Sequence, residues 1–233
     1  MSEIRIGTSG FAYTEWRPSF YPAELPPKKF LEFYATRFNA VEIDYTFYRM
    51  PTRTTLEGWA GATGEGFRFA LKASRKITHF ERLRVPSDAL DYFQDVLPTL
   101  GTRLGMVFYQ LPPTFRKDLD RLALFVGGLD RRIPAAFEFR HDSWFGEDVY
   151  SLLRDHGVAL CIHESDEGMT PMERTAARTY VRLRKSSYSP EERETWIARW
   201  TAWRDQGADV FAFVKHRDNP DAPRIAGEFA RGV

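Results

Sequence analysis

From end to end the chain alternates short apolar runs with longer amphipathic ones, and this rhythm restricts its fold more than any single motif. Runs of strand character cover 4–7, 40–44, 67–72, 104–110, 135–140, 158–163, 179–184 and 209–215. Between them apolar residues recur at helical spacing over 28–38, 54–63, 87–97, 116–126, 145–156 and 190–204, with a last such stretch at 222–231. Ser189-Pro190-Glu191-Glu192 reads as a helix start, with a capping serine, proline at the first helical position and a carboxylate at the third. Regular β-α alternation is the mark of an α/β fold with a parallel sheet and crossover helices. Eight strands within 233 residues favour closure into a barrel over an open sheet. The expectation is one domain over 1–233, a compact TIM-type (β/α)8 barrel.

Composition sets limits on partners. The formal net charge is +1, with 43% hydrophobic and 28% charged residues, so bulk electrostatics gives no reason for nonspecific binding to nucleic acid or membrane. Cys161 is the only cysteine, which rules out an intramolecular disulfide and suits a reducing compartment. No basic segment leads an apolar run at the N-terminus and no run is long enough to span a bilayer, so a cytoplasmic location is expected.

A barrel of this type gathers its active site at the C-terminal ends of the strands. Here those ends are polar. Alternation in a strand puts Glu42 and Asp44 on one face, aims Lys72 inward, and closes strand four on Gln110. Strand five ends Glu138-Phe139-Arg140, a carboxylate and a guanidinium two residues apart on one face. The later strands close on His163, on Arg182 and Arg184, and on Lys215 and His216. Two roles are open to a pair such as Glu138 and Arg140: an ion pair plugging the barrel interior, or part of a site. A core built for stability alone would carry branched apolar residues in these layers, so the convergence of so many polar ends points to a pocket.

Lys72, Arg140, Arg182 and Lys215 supply fixed positive charge, and arginine forks suit carboxylate or phosphate oxygens, so a small anionic molecule is the expected partner. The loop 185–190 adds small donors ahead of a helix start, where many barrels hold a phosphate. For an enzyme, Glu138 is the expected general acid/base oriented by Arg140, with Lys72 and Arg182 holding developing negative charge and Glu42 or Asp44 as second proton carrier. Ser9, Tyr48, Gln110, Trp144, His163, Arg182 and Lys215 complete the expected ligand-binding set. Hydrolysis, isomerisation and lyase chemistry all fit these parts. No cofactor is predicted. Glu42, Asp44, Glu138, His163 and His216 are ligand types for a divalent metal, which keeps a metal-dependent isomerase or hydrolase as an alternative, although the cations nearby disfavour it. A further alternative is a noncatalytic module that binds a nucleotide or a nucleic-acid end through the cationic mouth and the aromatic loops.

Other features are read as structural. Gly7-Thr8-Ser9-Gly10 lacks the dinucleotide and P-loop fingerprints and reads as a tight turn bringing Thr8 and Ser9 to the barrel mouth. Cys161 reads as a small core residue. Trp196, Trp200 and Trp203 lie at helical spacing, a packing face or else a partner surface. His79 and His156 have no second motif beside them and read as solvent or capping residues. Phe11, Tyr13, Trp16, Phe20, Tyr21, Phe47, Tyr48 and Trp144 follow strand ends and form either a lid or walls for stacking.

Several of these stretches together carry a resemblance. Gly7-Thr8-Ser9-Gly10-Phe11 through Trp16 and Phe20-Tyr21-Pro22, then Val41-Glu42-Ile43-Asp44 with Thr46-Phe47-Tyr48-Arg49 and Pro51, then Lys72 with Ile77-Thr78-His79, are the first of them. Gln110-Leu111-Pro112-Pro113 with Phe115, Glu138-Phe139-Arg140-His141 with Ser143-Trp144, and Tyr180-Val181-Arg182-Leu183 follow in order. Over nearly the whole chain this pattern resembles the domain of unknown function 72 family, also called YecE-like. The resemblance implies a TIM-barrel-type fold and brings no settled activity. Members often show His-Gly after the strand-seven arginine and Asn-Asn closing strand eight. Arg184-Lys185 and Lys215-His216 stand there instead, making that side of the pocket more cationic.

Overall fold

A computed structural model describes residues 2–215 and 221–233. The strands are β1 (Ile4–Ser9), β2 (Ala40–Ile43), β3 (Arg68–Lys72), β4 (Leu104–Gln110), β5 (Ala135–Glu138), β6 (Ala159–Ser165), a two-residue β7 (Gly168–Met169), β8 (Arg178–Leu183) and β9 (Asp209–Lys215). All but β7 are parallel, in the order β5-β4-β3-β2-β1-β9-β8-β6, and a β5–β6 pairing closes the barrel. The helices are α1 (Phe30–Ala35), α2 (Tyr45–Tyr48), α3 (Arg53–Gly61), α4 (Asp88–Val96), α5 (Leu119–Gly127), α6 (Glu147–Asp155), α7 (Pro190–Asp205) and α8 (Ala222–Ala230).

Period-two alternation sorts the core into two layers. Val41, Ile43, Phe69, Leu71, Val107, Phe137, Val181 and Val214 face outward into the large cluster beneath the helices. Ala40, Ala70, Met106, Phe108, Ala136, Cys161, Tyr180 and Phe213 fill the barrel itself, with Phe108 and Tyr180 stacked at 5.0 Å between ring centroids. Alanines on one side leave room for these aromatics on the other, so the interior is packed rather than open. Buried Cys161 belongs to this inner layer, as its apolar neighbours in sequence suggest.

The β1–β2 seam is irregular. Only Ser9 and Glu42 are in register there; the Tyr34 hydroxyl takes the Thr8 N–H at 2.7 Å and donates to the Ala40 carbonyl at 3.2 Å. Gly7 is required at this seam, because a Cβ would come 1.9 Å from the Ala40 oxygen. Thr8 therefore faces helix α1, with its hydroxyl 2.9 Å from that of Tyr34, and only Ser9 reaches the mouth as expected. The reason is the strand itself: β1 runs on through Ser9, so adjacent residues must face opposite ways.

Helix α7 starts as the sequence indicates. Ser189 accepts from the Glu192 N–H at 3.2 Å and Glu192 accepts from the Ser189 N–H at 2.8 Å. Trp196 and Trp200 are buried, Trp203 is half-buried against the core, and Trp200 packs on Phe229 of α8 at 5.2 Å, so these indoles serve packing. Several stretches depart from the expected bounds, three of them most clearly. β5 stops at Glu138, two residues early; α2 forms a single turn after β2; and β6 runs on to Ser165 to make a hairpin with β7 through a turn that has Gly168 at φ 145°. A single turn and a two-residue strand are too short to show periodicity.

Candidate active site at the C-terminal mouth of the barrel

The floor of the mouth is a buried ionic cluster. Arg182 projects inward from β8 and is 1% exposed. It donates to Glu138 Oε2 at 2.8 Å and to Glu42 Oε1 at 2.7 Å, with the Phe108 ring 4.6 Å from its guanidinium carbon. Glu42 also accepts from the hydroxyls of Ser9 and Tyr180, each at 2.6 Å. Glu138 also accepts from Gln110 Nε2 at 2.9 Å and from Arg140 Nε at 2.8 Å. Burial pushes the Glu138 carboxyl upward, but Arg182 and then Arg140 outweigh it and hold the group well below the usual carboxylate range. Arg182 is shifted the other way: burial opposes its charge, while Glu42 and Glu138 fix it more strongly.

Above this floor lies a cavity of about 700 Å³. Lys72, at the end of β3, is 8% exposed; its Nζ lies 3.4 Å from Asp44 Oδ1 and 4.3 Å from the centre of the Phe47 ring. Burial lowers the Lys72 pKa; Asp44 opposes that, Arg182 adds to it, and the net result is below the ordinary lysine value. Asp44 follows β2 directly. Burial would raise its pKa, yet Arg182 and Lys72 prevail and lower it. His79 comes from a wide turn of π-helix after β3, over Lys76–Phe80, and faces the same cavity. Its Nδ1 is 2.9 Å from the Thr78 hydroxyl, and burial followed by Lys72 and Arg140 brings its pKa down to about 4, so the imidazole is neutral at pH 7.

Among the described residues, six cations line this cavity (Lys72, Arg75, Arg140, Arg182, Arg184 and Lys215) against two carboxylates, Glu15 and Asp44. Counting Glu42 and Glu138 below still leaves positive charge in excess. Next to it, an apolar cleft of about 430 Å³ runs between Phe11, Tyr45 and Trp59 and shares Tyr13, Asp44 and Tyr48 with the main cavity. Tyr48 is 59% exposed, so its ring stands as a wall at the junction.

A family model described as "Protein of unknown function DUF72" matches residues 5–233. The chain belongs to that family. It is 26% identical over 258 residues to the UPF0759 protein YunF of Bacillus subtilis, covering 94% of this chain and 90% of that one. It is 28% identical over 224 residues to the UPF0759 protein YecE of Escherichia coli, covering 84% and 82%. The crystal structure of a DUF72 family protein from Thermotoga maritima aligns over 98% of both chains with a TM-score of 0.84 and 24% identity. D-psicose 3-epimerase from Clostridium cellulolyticum H10 aligns at a TM-score of 0.56 and 13% identity, which shows the shared barrel and nothing more.

Of the residues singled out in the sequence of this DUF72 chain, Ser9, Asp44, Tyr48, Lys72, Gln110, Arg140, Arg182 and Lys215 line the cavity. Glu42 and Glu138 lie beneath it, and each of their carboxylate oxygens accepts at least one hydrogen bond, two of those to Glu138 coming from Arg140 and Arg182. His163 lines a smaller recess of about 280 Å³ beside Arg184 and Lys185, with its Nε2 3.3 Å from Arg184 Nη1, and burial brings its pKa down to about 4. Trp144 lies outside the site. It is fully buried, stacked on Phe139 at 4.7 Å, and its Nε1 donates to the Phe115 carbonyl at 2.7 Å. Because β5 ends at Glu138, the chain turns there and the indole folds back beneath the helices. Trp16 and Tyr21 are likewise buried, whereas Tyr13, Phe47 and Tyr48 reach the cavity.

For a metal, the described residues offer no cluster of three or more suitable side chains. Arg182 occupies the position between Glu42 and Glu138 that a divalent ion would need, so these donors do not fit one; His216 lies outside the described residues. Sequence reasoning read His79 as a solvent or capping residue and did not single out Arg75 or Glu15, yet all three line the cavity. All three come from loops or short turns, where no period tells which way a side chain points. No helix among the described residues is long and apolar enough to cross a membrane.

Proposed function

We propose that this protein is a cytoplasmic enzyme that acts on a small phosphate- or carboxylate-bearing substrate by general acid/base chemistry in the mouth of the barrel. The observation that carries this reading is the charge of the cavity wall: six cations against two carboxylates around a half-open cavity of small-molecule size. The arginines Arg140 and Arg184 suit the anionic group. Proton transfer falls to the ionisable groups that line the cavity, namely Asp44, Lys72 and His79, rather than to the fully bonded Glu42 and Glu138.

Thermal unfolding against a panel of sugar phosphates, nucleotides, hydroxy acids and oxo acids tests the reading. A ligand present at a hundred times its Kd should add about 2.7 kcal/mol, a rise of roughly 5 to 10 °C for a chain of this size. Lys72→Met should abolish that rise. No response to any member of the panel would refute the small-anion reading. A response to oligonucleotides alone, falling steeply with salt, would replace it with a nucleic-acid-binding module.

A further inference from the structure

Two amines line the cavity, Lys72 and Lys215, and they differ in setting. Lys72 is almost fully enclosed, its Nζ lies against the Phe47 ring, and its nearest carboxylate oxygen, Asp44 Oδ1, stands 3.4 Å away. A charge-assisted pair normally closes to about 2.7–2.9 Å. Asp44 Oδ1 is itself buried and accepts no well-formed hydrogen bond, so an amine and an underused acceptor face each other at the edge of the ligand space. This is a poor arrangement for an ion pair and a good one for a reaction at nitrogen. Resting on the anion-binding reading of the same cavity, we propose that Lys72 is a nucleophile that forms an imine with the carbonyl of a small oxo compound bearing a carboxylate or phosphate.

Chemistry and surroundings agree at each step. Burial and the nearby Arg182 favour the uncharged amine, which is the form that attacks. The Nζ lone pair forms the C–N bond while the carbonyl π pair moves to oxygen. Asp44 takes a proton from nitrogen and returns it to that oxygen, giving a carbinolamine. A second proton, passed through Asp44, lets the hydroxyl leave as water as the nitrogen lone pair closes the C=N bond. From ammonium and carbonyl the sum is iminium and water, with no oxidant or reductant. Arg140 and Arg184 face the same space and can hold the anionic group, and the neutral His79 is placed to take a proton from the carbon next to the iminium.

The test is reductive trapping. The full chain is incubated with pyruvate or with dihydroxyacetone phosphate, treated with sodium borohydride, and analysed by intact mass and peptide mapping. Hydride adds to the iminium carbon and leaves a secondary amine, heavier by the oxo compound less one oxygen atom. Modification at Lys72 should exceed that at any other lysine by at least about tenfold, because the cationic wall holds the oxo compound beside its Nζ. The two probes separate a carboxylate from a phosphate requirement. Lys72→Arg should lose the adduct while keeping the thermal response to the same anions. Adduct spread evenly over the lysines, or equal in amount in Lys72→Arg, overturns the proposal. A thermal response without trapping at Lys72 overturns the imine and leaves the anion cavity standing; neither response removes both.

Discussion

Arg182→Met is the most direct probe of the floor. Methionine keeps the length and apolar stem of the side chain and deletes the charge. Glu138 would retain Arg140 at 2.8 Å and Gln110 at 2.9 Å, but Glu42 would keep only the neutral hydroxyls of Ser9 and Tyr180. The loss therefore concentrates on Glu42, which is fully buried. Removing one partner of a buried pair costs about 3 to 5 kcal/mol, most of it the penalty of an uncompensated charge. In a chain of this length that lowers Tm by roughly 6 to 20 °C. Glu42→Gln placed in the same variant should recover about half of the loss or more, because the stranded charge is then gone. Urea unfolding of the parent, the single and the double variant at pH 7 measures all of this. A loss below about 1 kcal/mol, the scale of ordinary substitutions, or a double variant no better than the single, would refute the stranded-charge reasoning.

Three further outcomes are expected. Glu138 and Asp44 are both held below their ordinary pKa, so their contribution to stability is complete above the unfolded-state value of about 4 and is lost as pH falls through the folded values; the parent's urea midpoint should stay flat down to about pH 5 and then drop. Lys72→Met should change stability by no more than about 1 kcal/mol, because Asp44 is partly exposed and keeps Arg182 at 3.7 Å; a loss of about 3 kcal/mol or more in thermal unfolding would mean that Lys72 belongs to the structural cluster instead. Trp144→Ala should cost about 3 to 5 kcal/mol while leaving the size of any ligand-induced rise in Tm unchanged, since the indole is core and not wall; a lost ligand response with stability intact would contradict its placement.

Much of the floor can be read from period-two alternation. Glu42, Lys72 and Arg182 point inward because each sits two residues from an inward alanine or tyrosine on its strand (Ala40, Ala70 and Tyr180). What alternation cannot supply is pairing. The Glu138-Phe139-Arg140 spacing suggested a self-contained pair, and Arg140 does bond Glu138, but the deeper partner is Arg182, 44 residues on, reached only when β5, β6 and β8 stand side by side. The same limit hides the occupancy of the Glu138 oxygens, which is a tertiary property. Loops are harder still. Trp144 and Tyr48 both follow strand ends, and nothing local says that one indole folds into the core while one phenol stands in solvent. His79 looked isolated because its companions, Lys72 and Phe47, are assembled by a turn that has no hydrophobic period.

The three-sided cluster of Glu42, Arg182 and Glu138 also shapes which variants of this barrel can be reached one substitution at a time. Changing any member alone leaves a buried partner short of a hydrogen bond or a counter-charge, so this part of the molecule sits in a valley with steep walls. The rim has no such restriction. Arg75, His79, Arg184 and Tyr48 hang on loops or strand tips beside open space and can be exchanged singly at little cost to folding. Descent with modification in such a barrel has its freedom at the edge: relatives could diverge in the molecules they accept while inheriting the same sealed base, and a search for variants with altered preference would do best to leave that base alone and draw its library from the rim.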